Sequence, residues 1–205
     1  EEIPAHIMQG YTTLAAETLQ QLEEQGAERP THLFLQAGVG SFAGAALGFF
    51  TSVWGEERPV TAIVEPDRAD CLFRTAQAGD GRLRFVSGRM DTIMAGLACG
   101  EPNILSWDIL RNHVSAFVSC PDWVSARGMR MLGVPVKGDP TVISGESGAV
   151  GMGLIAALME TDEYQDLRQA IGLDRFSQVL LFSTEGNTDP MKFRKVLWDG
   201  EYPTV

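Results

Sequence analysis

Cysteine is scarce in this chain of 205 residues, and the three that occur, Cys71, Cys99 and Cys120, are widely spaced. So few thiols at such spacings form neither a disulfide framework nor a zinc ribbon. They are typical of a protein from a reducing compartment. We therefore expect a cytoplasmic protein with buried thiols, and the sequence leaves open whether two of the three pair.

Clustered positive charge and long apolar runs are also missing. The net charge is -11, and the 16 lysines and arginines are spread along the chain without forming a dense cluster. This distribution disfavours nucleic acid and anionic membranes as partners, because both carry negative charge. The longest apolar stretch, residues 42–53, is too short for a membrane span and predicts a buried helix.

The common catalytic and metal-binding motifs are absent as well. There is no Gly-x-Ser-x-Gly elbow, no histidine pair at metal spacing and no Cys-x-x-Cys, and His6, His32 and His113 stand alone. We therefore expect no metal site and no hydrolase triad.

What the sequence does have is an alternation of helix and strand patterns. Apolar residues at helical spacing or in short β-branched runs, separated by Gly and Pro, indicate the individual elements. Helices are predicted over residues 5–25, 42–53, 91–97, 108–117, 121–132 and 152–159, and strands just before Gly38 and over 60–64, 141–144 and 178–182. This order predicts an α/β fold with three layers, a parallel sheet with helices on both faces. Ligands of such sheets bind at the carboxyl ends of the strands.

The most informative segment is a glycine turn between a short strand pattern and a helix of small residues. It reads Gln-Ala-Gly-Val-Gly-Ser over residues 36–41 and is typical of a phosphate-binding turn. Gly38 and Gly40 let the backbone approach a ligand without an intervening Cβ, and the helix start offers N–H groups to an anion. Two other interpretations remain open. The glycines could serve packing alone, or the turn with Ala43 could be a dinucleotide site in which Glu65 binds a ribose.

Two further turns follow predicted strands. The second, residues 144–151, contains Glu146, and the third, residues 183–189, begins with Ser183 and Thr184. Because parallel strands place such turns on one edge of the sheet, we expect all three to surround one ligand. The hydroxyls could hydrogen-bond a ring nitrogen, and Glu146 supplies a carboxylate. Helix capping by the hydroxyls and dipole compensation by Glu146 remain alternative roles.

These turns, in this order, resemble the fold-type II pyridoxal-phosphate enzymes, the group that includes the tryptophan synthase β-subunit, threonine dehydratase and serine dehydratase. The resemblance rests on Gln-Ala-Gly-Val-Gly-Ser at 36–41, Ile-Val-Glu-Pro at 63–66, Glu-Ser-Gly-Ala at 146–149 and Ser-Thr-Glu-Gly at 183–186. Within that group the chain resembles the diaminopropionate ammonia-lyase family, also through residues 8–11, 93–102 and 143–151. The first turn departs from the tetraglycine form common in the group, and Asn187 stands where an acidic residue is expected.

The resemblance implies pyridoxal 5'-phosphate (PLP) as the cofactor and a homodimer as the assembly. It places eight residues in contact with the cofactor: Ala37, Gly38, Val39, Gly40, Ser41, Glu146, Ser183 and Thr184. A neutral hydroxyl such as that of Ser183 at the ring nitrogen would leave the nitrogen unprotonated, which favours β-elimination over transamination.

The lysine that such an enzyme needs for its Schiff base is not recognisable in this chain. Lys137 falls in a loop rich in Pro and Gly, and Lys192 and Lys195 fall on a polar helix, so all three resemble surface lysines. In the family, this lysine and the small domain belong to the N-terminal half. We therefore expect residues 1–205 to be the C-terminal part of the PLP-binding large domain, with the lysine upstream of Glu1. The chain alone is then expected to hold no catalytic residue and to be inactive.

The complete enzyme is expected, from the resemblance, to convert an amino-acid substrate, 2,3-diaminopropionate, to pyruvate and ammonia by PLP-dependent α,β-elimination. Three alternatives remain. The chain could belong to another fold-type II ammonia-lyase or dehydratase, or it could be a non-catalytic nucleotide-binding module of Rossmann type. It could also be a non-catalytic truncated or regulatory product of the same fold, which would bind a phosphate compound without turnover. Affinity for NAD without affinity for PLP would favour the module.

Overall fold

The computed structural model describes residues 2–204, whose four strands form one parallel sheet. The domain predicted over residues 1–205 extends beyond this description by Glu1 and Val205. The strands are β1 (His32–Gln36), β2 (Val60–Pro66), β3 (Ala116–Cys120) and β4 (Val179–Leu181). Their spatial order is β3-β2-β1-β4, so β1 and β2 occupy the centre. This arrangement confirms the predicted parallel α/β fold.

Eight helices cover the two faces of the sheet in the described part of the chain. They are α1 (Glu2–Glu24), α2 (Ser41–Trp54), α3 (Cys71–Ala78), α4 (Ile104–His113), α5 (Asp122–Gly133), α6 (Glu146–Glu160), α7 (Gln165–Ala170) and α8 (Pro190–Leu197). Three short 3-10 turns lie at Gly55–Glu57, Ala95–Leu97 and Asp162–Tyr164. Over residues 2–204, no helix has both the length and the apolar character that a bilayer crossing requires.

Two apolar cores, one on each face, follow from the alternation of side chains along the strands. Leu33 and Leu35 of β1 point into the core beneath α1 to α4. Phe34 points the opposite way, into the core beneath α5 to α8. Strands buried on both sides are expected to be largely apolar, and the middle of each central strand, residues 33–35 and 62–64, is apolar throughout. The result is the three-layer arrangement that the sequence predicted.

Residues 91–97 do not form the predicted helix. Only Ala95–Leu97 form a 3-10 turn, because the backbone before it is held by side chains instead of by helical carbonyls. Ile93 N donates to the Asp122 carboxylate at 3.2 Å, and Met94 N donates to Thr92 Oγ1 at 3.1 Å. The apolar spacing in this segment therefore reflects a packed loop.

Two further sequence predictions are wrong, one in its boundaries and one in the type of element. The helix predicted over 108–117 begins earlier and ends at His113, and the chain then enters β3 as Ser115 N donates to Thr61 O at 2.8 Å. The strand predicted over 141–144 is a loop, because its Val142 N donates to Leu132 O and not to a strand of the sheet. The short helix α3 was not predicted.

The three cysteines are all free. Cys71 and Cys120 are buried and Cys99 is half-buried. Burial raises the pKa of both the Cys71 and the Cys120 thiol to about 12, which keeps them protonated and unreactive. The prediction of buried thiols therefore holds for two of the three.

Candidate functional site

The glycine turn after β1 lines a cavity of about 310 Å³ at the carboxyl edge of the sheet. Ala37, Gly38, Val39, Gly40 and Ser41 all contribute to its wall. Gly40 is the N-cap of α2 and makes no side-chain capping bond, and the first turn of the helix contains no acidic residue. The first N–H groups of a helix lack intrahelical acceptors, so this end of α2 is suited to an anion.

Both glycines of the turn lie where a side chain has little room. Gly40 has a φ of 94°, and an added Cβ would lie 3.2 Å from Leu72 Cδ1. A Cβ on Gly38 would lie 3.3 Å from Leu97 O, in the segment that forms the facing wall. Gly38 is therefore crowded by the cavity wall itself, whereas Gly40 is crowded by the core beneath α3 and α4 and has a left-handed φ that favours glycine.

The facing wall contains a buried hydroxyl without a partner. Ser147, in the first turn of α6, is 4% exposed, lines the cavity, and has an Oγ without a hydrogen-bond partner in the described structure. Gly96 lies against this hydroxyl, since a Cβ there would be 3.1 Å from Ser147 Oγ. A buried hydroxyl costs free energy unless it is hydrogen-bonded, so its position beside the cavity favours a polar ligand.

The two hydroxyls after β4 are placed differently. Thr184 lines the cavity, and its Oγ1 accepts a hydrogen bond from Gln36 Nε2 at 2.8 Å. Ser183 is not among the lining residues, and its Oγ donates to Ser144 Oγ at 2.9 Å. The structure therefore brings Thr184 to the cavity and leaves Ser183 beside it.

Two carboxylates lie near the start of α6. Glu146 is buried, does not line the cavity, and has an Oε1 without a partner in the described residues. Burial, with a smaller contribution from the Glu185 carboxylate, raises the pKa of Glu146 above its ordinary value. Glu185 does line the cavity, and its carboxylate accepts a hydrogen bond from Ser147 N. The negative charge of the Glu185 carboxylate thus compensates the positive end of the α6 dipole.

Eight lining residues were missed as site residues by sequence reasoning: Tyr11, Gln36, Phe42, Gly96, Leu97, Cys99, Ser147 and Glu185. Three of the eight, Gln36, Ser147 and Glu185, belong to the motifs of the three turns. Each is adjacent to a residue that was chosen, within the same motif. The available signal was their polar character in a turn that follows a buried strand. Their orientation toward the cavity depends on contacts with distant segments.

Glu65, the candidate ribose-binding acid, does not line the cavity. It is fully buried, and its carboxylate accepts hydrogen bonds from Leu72 N at 2.9 Å and Phe73 N at 2.6 Å. The carboxylate therefore holds the start of α3 against the end of β2. A dinucleotide site that relies on Glu65 has no support from this geometry.

The buried Glu65 predicts a pH-dependent stability. Burial raises its pKa from 4.5 to about 8, although its two backbone hydrogen bonds oppose the shift. Between these pH values the folded protein holds a proton that the unfolded chain releases. The free energy of unfolding should therefore fall as pH rises through this window, by about 1 kcal/mol per pH unit from this group.

Urea unfolding of the protein and of Glu65→Gln at pH 5.5 and pH 8 measures this contribution, because the other groups titrate equally in both. The substituted protein should gain stability relative to the original as pH rises. An equal pH dependence of the two proteins would show that Glu65 is ionised throughout.

None of the three lysines lines the cavity. Lys137 and Lys195 are exposed, and Lys192 is half-buried on α8. The Schiff-base lysine predicted upstream of Glu1 lies outside the described residues. Across residues 2–204, no cluster of three or more potential metal ligands is present.

The lining chemistry suits a phosphate ester held by backbone groups. No lysine or arginine lines the cavity. Its one charged side chain is that of Glu185, whose carboxylate already accepts a hydrogen bond from Ser147 N of α6. Backbone N–H groups at the start of α2, together with the Ser41 hydroxyl, can donate to an anion at this end of the cavity. The remaining wall is apolar or neutral, as a flat ring with a few polar atoms would require.

A protein family described as "Pyridoxal-phosphate dependent enzyme" matches residues 4–168. Among curated relatives, the diaminopropionate ammonia-lyase of Salmonella typhimurium is 51% identical over 201 residues. The match includes 98% of this chain and 50% of that protein. The chain thus spans about half the length of the curated relative that it matches.

Solved structures also match nearly the whole of this chain with about half of their own length. The selenomethionine holo form of diaminopropionate ammonia-lyase from Escherichia coli superposes with a TM-score of 0.89 at 48% identity, covering 98% of this chain and 50% of that one. Maize serine racemase superposes with a TM-score of 0.70 at 21% identity, covering 94% of this chain and 54% of that one. The second similarity concerns the fold alone.

Proposed function

Because the chain belongs to the family of pyridoxal-phosphate dependent enzymes, we propose that the cavity at the glycine turn binds PLP. The observation that carries this proposal is the turn Ala37 to Ser41, which opens α2 without a side-chain cap and with little space for side chains at Gly38 and Gly40. In this arrangement the phosphate binds the backbone N–H groups of the turn and the Ser41 hydroxyl. The ring lies toward Thr184 and Ser147.

The other predicted contacts have supporting roles in this proposal. Glu146 lies behind the start of α6, and Ser183 ties the third turn to the second through Ser144. Gly148 makes this close approach possible, because a Cβ there would lie 3.1 Å from Thr184 N. The second and third turns are thereby packed against each other.

The proposed activity of the complete protein is the conversion of 2,3-diaminopropionate and one water molecule to pyruvate and two molecules of ammonia. The similarity to diaminopropionate ammonia-lyases over 98% of the chain supports it. PLP, when bound, supplies an electron sink for the electron pair left by removal of the α-proton. The residues of this chain hold the phosphate, orient the ring and limit access of water.

The proposal is tested with the protein expressed from its complete reading frame. We expect saturable PLP binding with a visible absorbance band and pyruvate release from 2,3-diaminopropionate, with two ammonia per pyruvate. Serine and threonine serve as competing substrates, and NAD serves as the competing ligand. A higher kcat/KM for serine or threonine would favour a dehydratase, and NAD binding without PLP binding would exclude a PLP enzyme.

We also propose a cytoplasmic homodimer. The three free cysteines are consistent with a reducing compartment. Several apolar side chains are exposed around the start of α1 and α4, including Ile3, Ile7 and Ile104, and exposed apolar patches commonly mark protein interfaces. Light scattering of the purified protein should give twice the monomer mass, and a monomer at micromolar concentration would contradict the assembly.

A further inference from the structure

Gln36, the last residue of β1, bridges a gap between two strands. Backbone pairing of β1 with β4 ends at Phe34 and Leu181. Beyond that point the Gln36 side chain, which is 4% exposed, joins the end of β1 to the residues that follow β4. Its Nε2 donates to Phe182 O at 2.8 Å and to Thr184 Oγ1 at 2.8 Å.

The first of these contacts determines the orientation of the amide. Phe182 O is a carbonyl oxygen and can only accept, so the atom of Gln36 that faces it must be the nitrogen. This nitrogen carries two hydrogens, and the second points to Thr184 Oγ1. Thr184 Oγ1 is therefore the acceptor in its bond with Gln36.

The direction of that bond leaves the Thr184 hydroxyl hydrogen available. Among the described residues, Thr184 Oγ1 has no other hydrogen-bond partner, and the residue lines the cavity. The neighbouring Ser183 uses its hydrogen on Ser144 Oγ. The Glu185 carboxylate, on the same wall, accepts from Ser147 N.

We propose that Gln36 is a positioning residue that makes the Thr184 hydroxyl a donor into the cavity, where it meets the unprotonated ring nitrogen of the cofactor. This inference rests on the proposed binding of PLP. Gln36 acts through Thr184, since both hydrogens of its amide nitrogen are used on the protein. An amide at this position, and not merely any polar group, is required for that direction of donation.

The experiment compares binding of PLP and of 1-deaza-PLP, in which a C–H replaces the ring nitrogen. Both share the phosphate and the aldehyde, so the ratio of their dissociation constants isolates the ring-nitrogen contact. The protein expressed from its complete reading frame should prefer PLP about tenfold, as expected for one hydrogen bond.

The variants separate positioning from general stabilisation. Thr184→Val should abolish the preference and Thr184→Ser should retain it. Gln36→Glu should also abolish it, because the carboxylate accepts the Thr184 hydrogen and turns it away from the cavity. Gln36→Met removes the donor to Thr184 without putting an acceptor in its place. It should reduce the preference to about threefold. In the Thr184→Val background, Gln36→Glu should leave the ratio unchanged, because Gln36 has lost the group through which it acts.

Each outcome bears on a separate conclusion. Failure of the unsubstituted protein to bind PLP would overturn the proposed function and this inference with it. Equal binding of both compounds, or an unchanged tenfold preference in Gln36→Glu and Gln36→Met, would leave the function intact and overturn the inference. Loss of the folded far-ultraviolet spectrum in both Gln36 variants would show a general structural role and would also overturn it.

Discussion

Replacement of Ser41 by aspartate is expected to weaken PLP binding about 100-fold without loss of the fold. Ser41 is the first residue of α2 and lines the cavity, and its Oγ accepts from Asn103 Nδ2 at 2.9 Å. A carboxylate there would repel the phosphate across a short distance, at a cost of about 2.7 kcal/mol. An acidic residue in the first turn of a helix is itself favourable, so the protein should remain folded.

The matched control is Ser41→Asn, which is similar in size to aspartate and uncharged. The dissociation constant for PLP and the urea midpoint should be measured for both variants. Asparagine is expected to weaken binding only about threefold. If the two variants bound PLP equally well, the phosphate would not lie at the start of α2.

Replacement of Gly153 by alanine should have the largest effect on stability. Gly153 of α6 lies against the backbone of α5, where an added Cβ would be 1.8 Å from Val124 O. Gly128 of α5 is in the reciprocal position, with an added Cβ 2.0 Å from Ala149 O. Neither carbonyl can move without displacing its helix. We therefore expect the free energy of unfolding to fall by about 3 kcal/mol or more.

The control for this variant is Gly10→Ala in α1, another glycine inside a helix. Nothing lies within 4 Å of a Cβ added at Gly10, so the higher helix propensity of alanine should stabilise the protein by up to about 1 kcal/mol. Thermal and urea unfolding compare the two. A small change at Gly153 would mean that α5 and α6 separate easily, and the start of α6 would then be poorly held at the cavity.

Much of the fold was predictable because its signals are local. The β-branched run of β2, the apolar run of β1 and the helical spacing of α1 each depend on a few neighbouring residues. The glycine turn was equally local, since the positive φ of Gly40 is available chiefly to glycine. These predictions were confirmed.

Where prediction failed, contacts between distant segments decided the outcome. Residues 91–97 have helical spacing, but the Asp122 carboxylate binds their backbone. The chain after His113 forms β3 because Ser115 N meets the open edge of β2 at Thr61. No local pattern contains either contact.

The sequence by itself determined the strands β1, β2 and β4, the longer helices, the parallel sheet and the position of the glycine turn, because periodicity and glycine conformation are properties of short segments. The tertiary structure alone decided which polar side chains face the cavity. Ser183 and Thr184 are equivalent as hydroxyls in the sequence, yet only Thr184 lines the cavity, and it is joined to Gln36, 148 residues away. Burial and hydrogen-bond direction depend on such distant partners, and so does the assignment of each residue in the site.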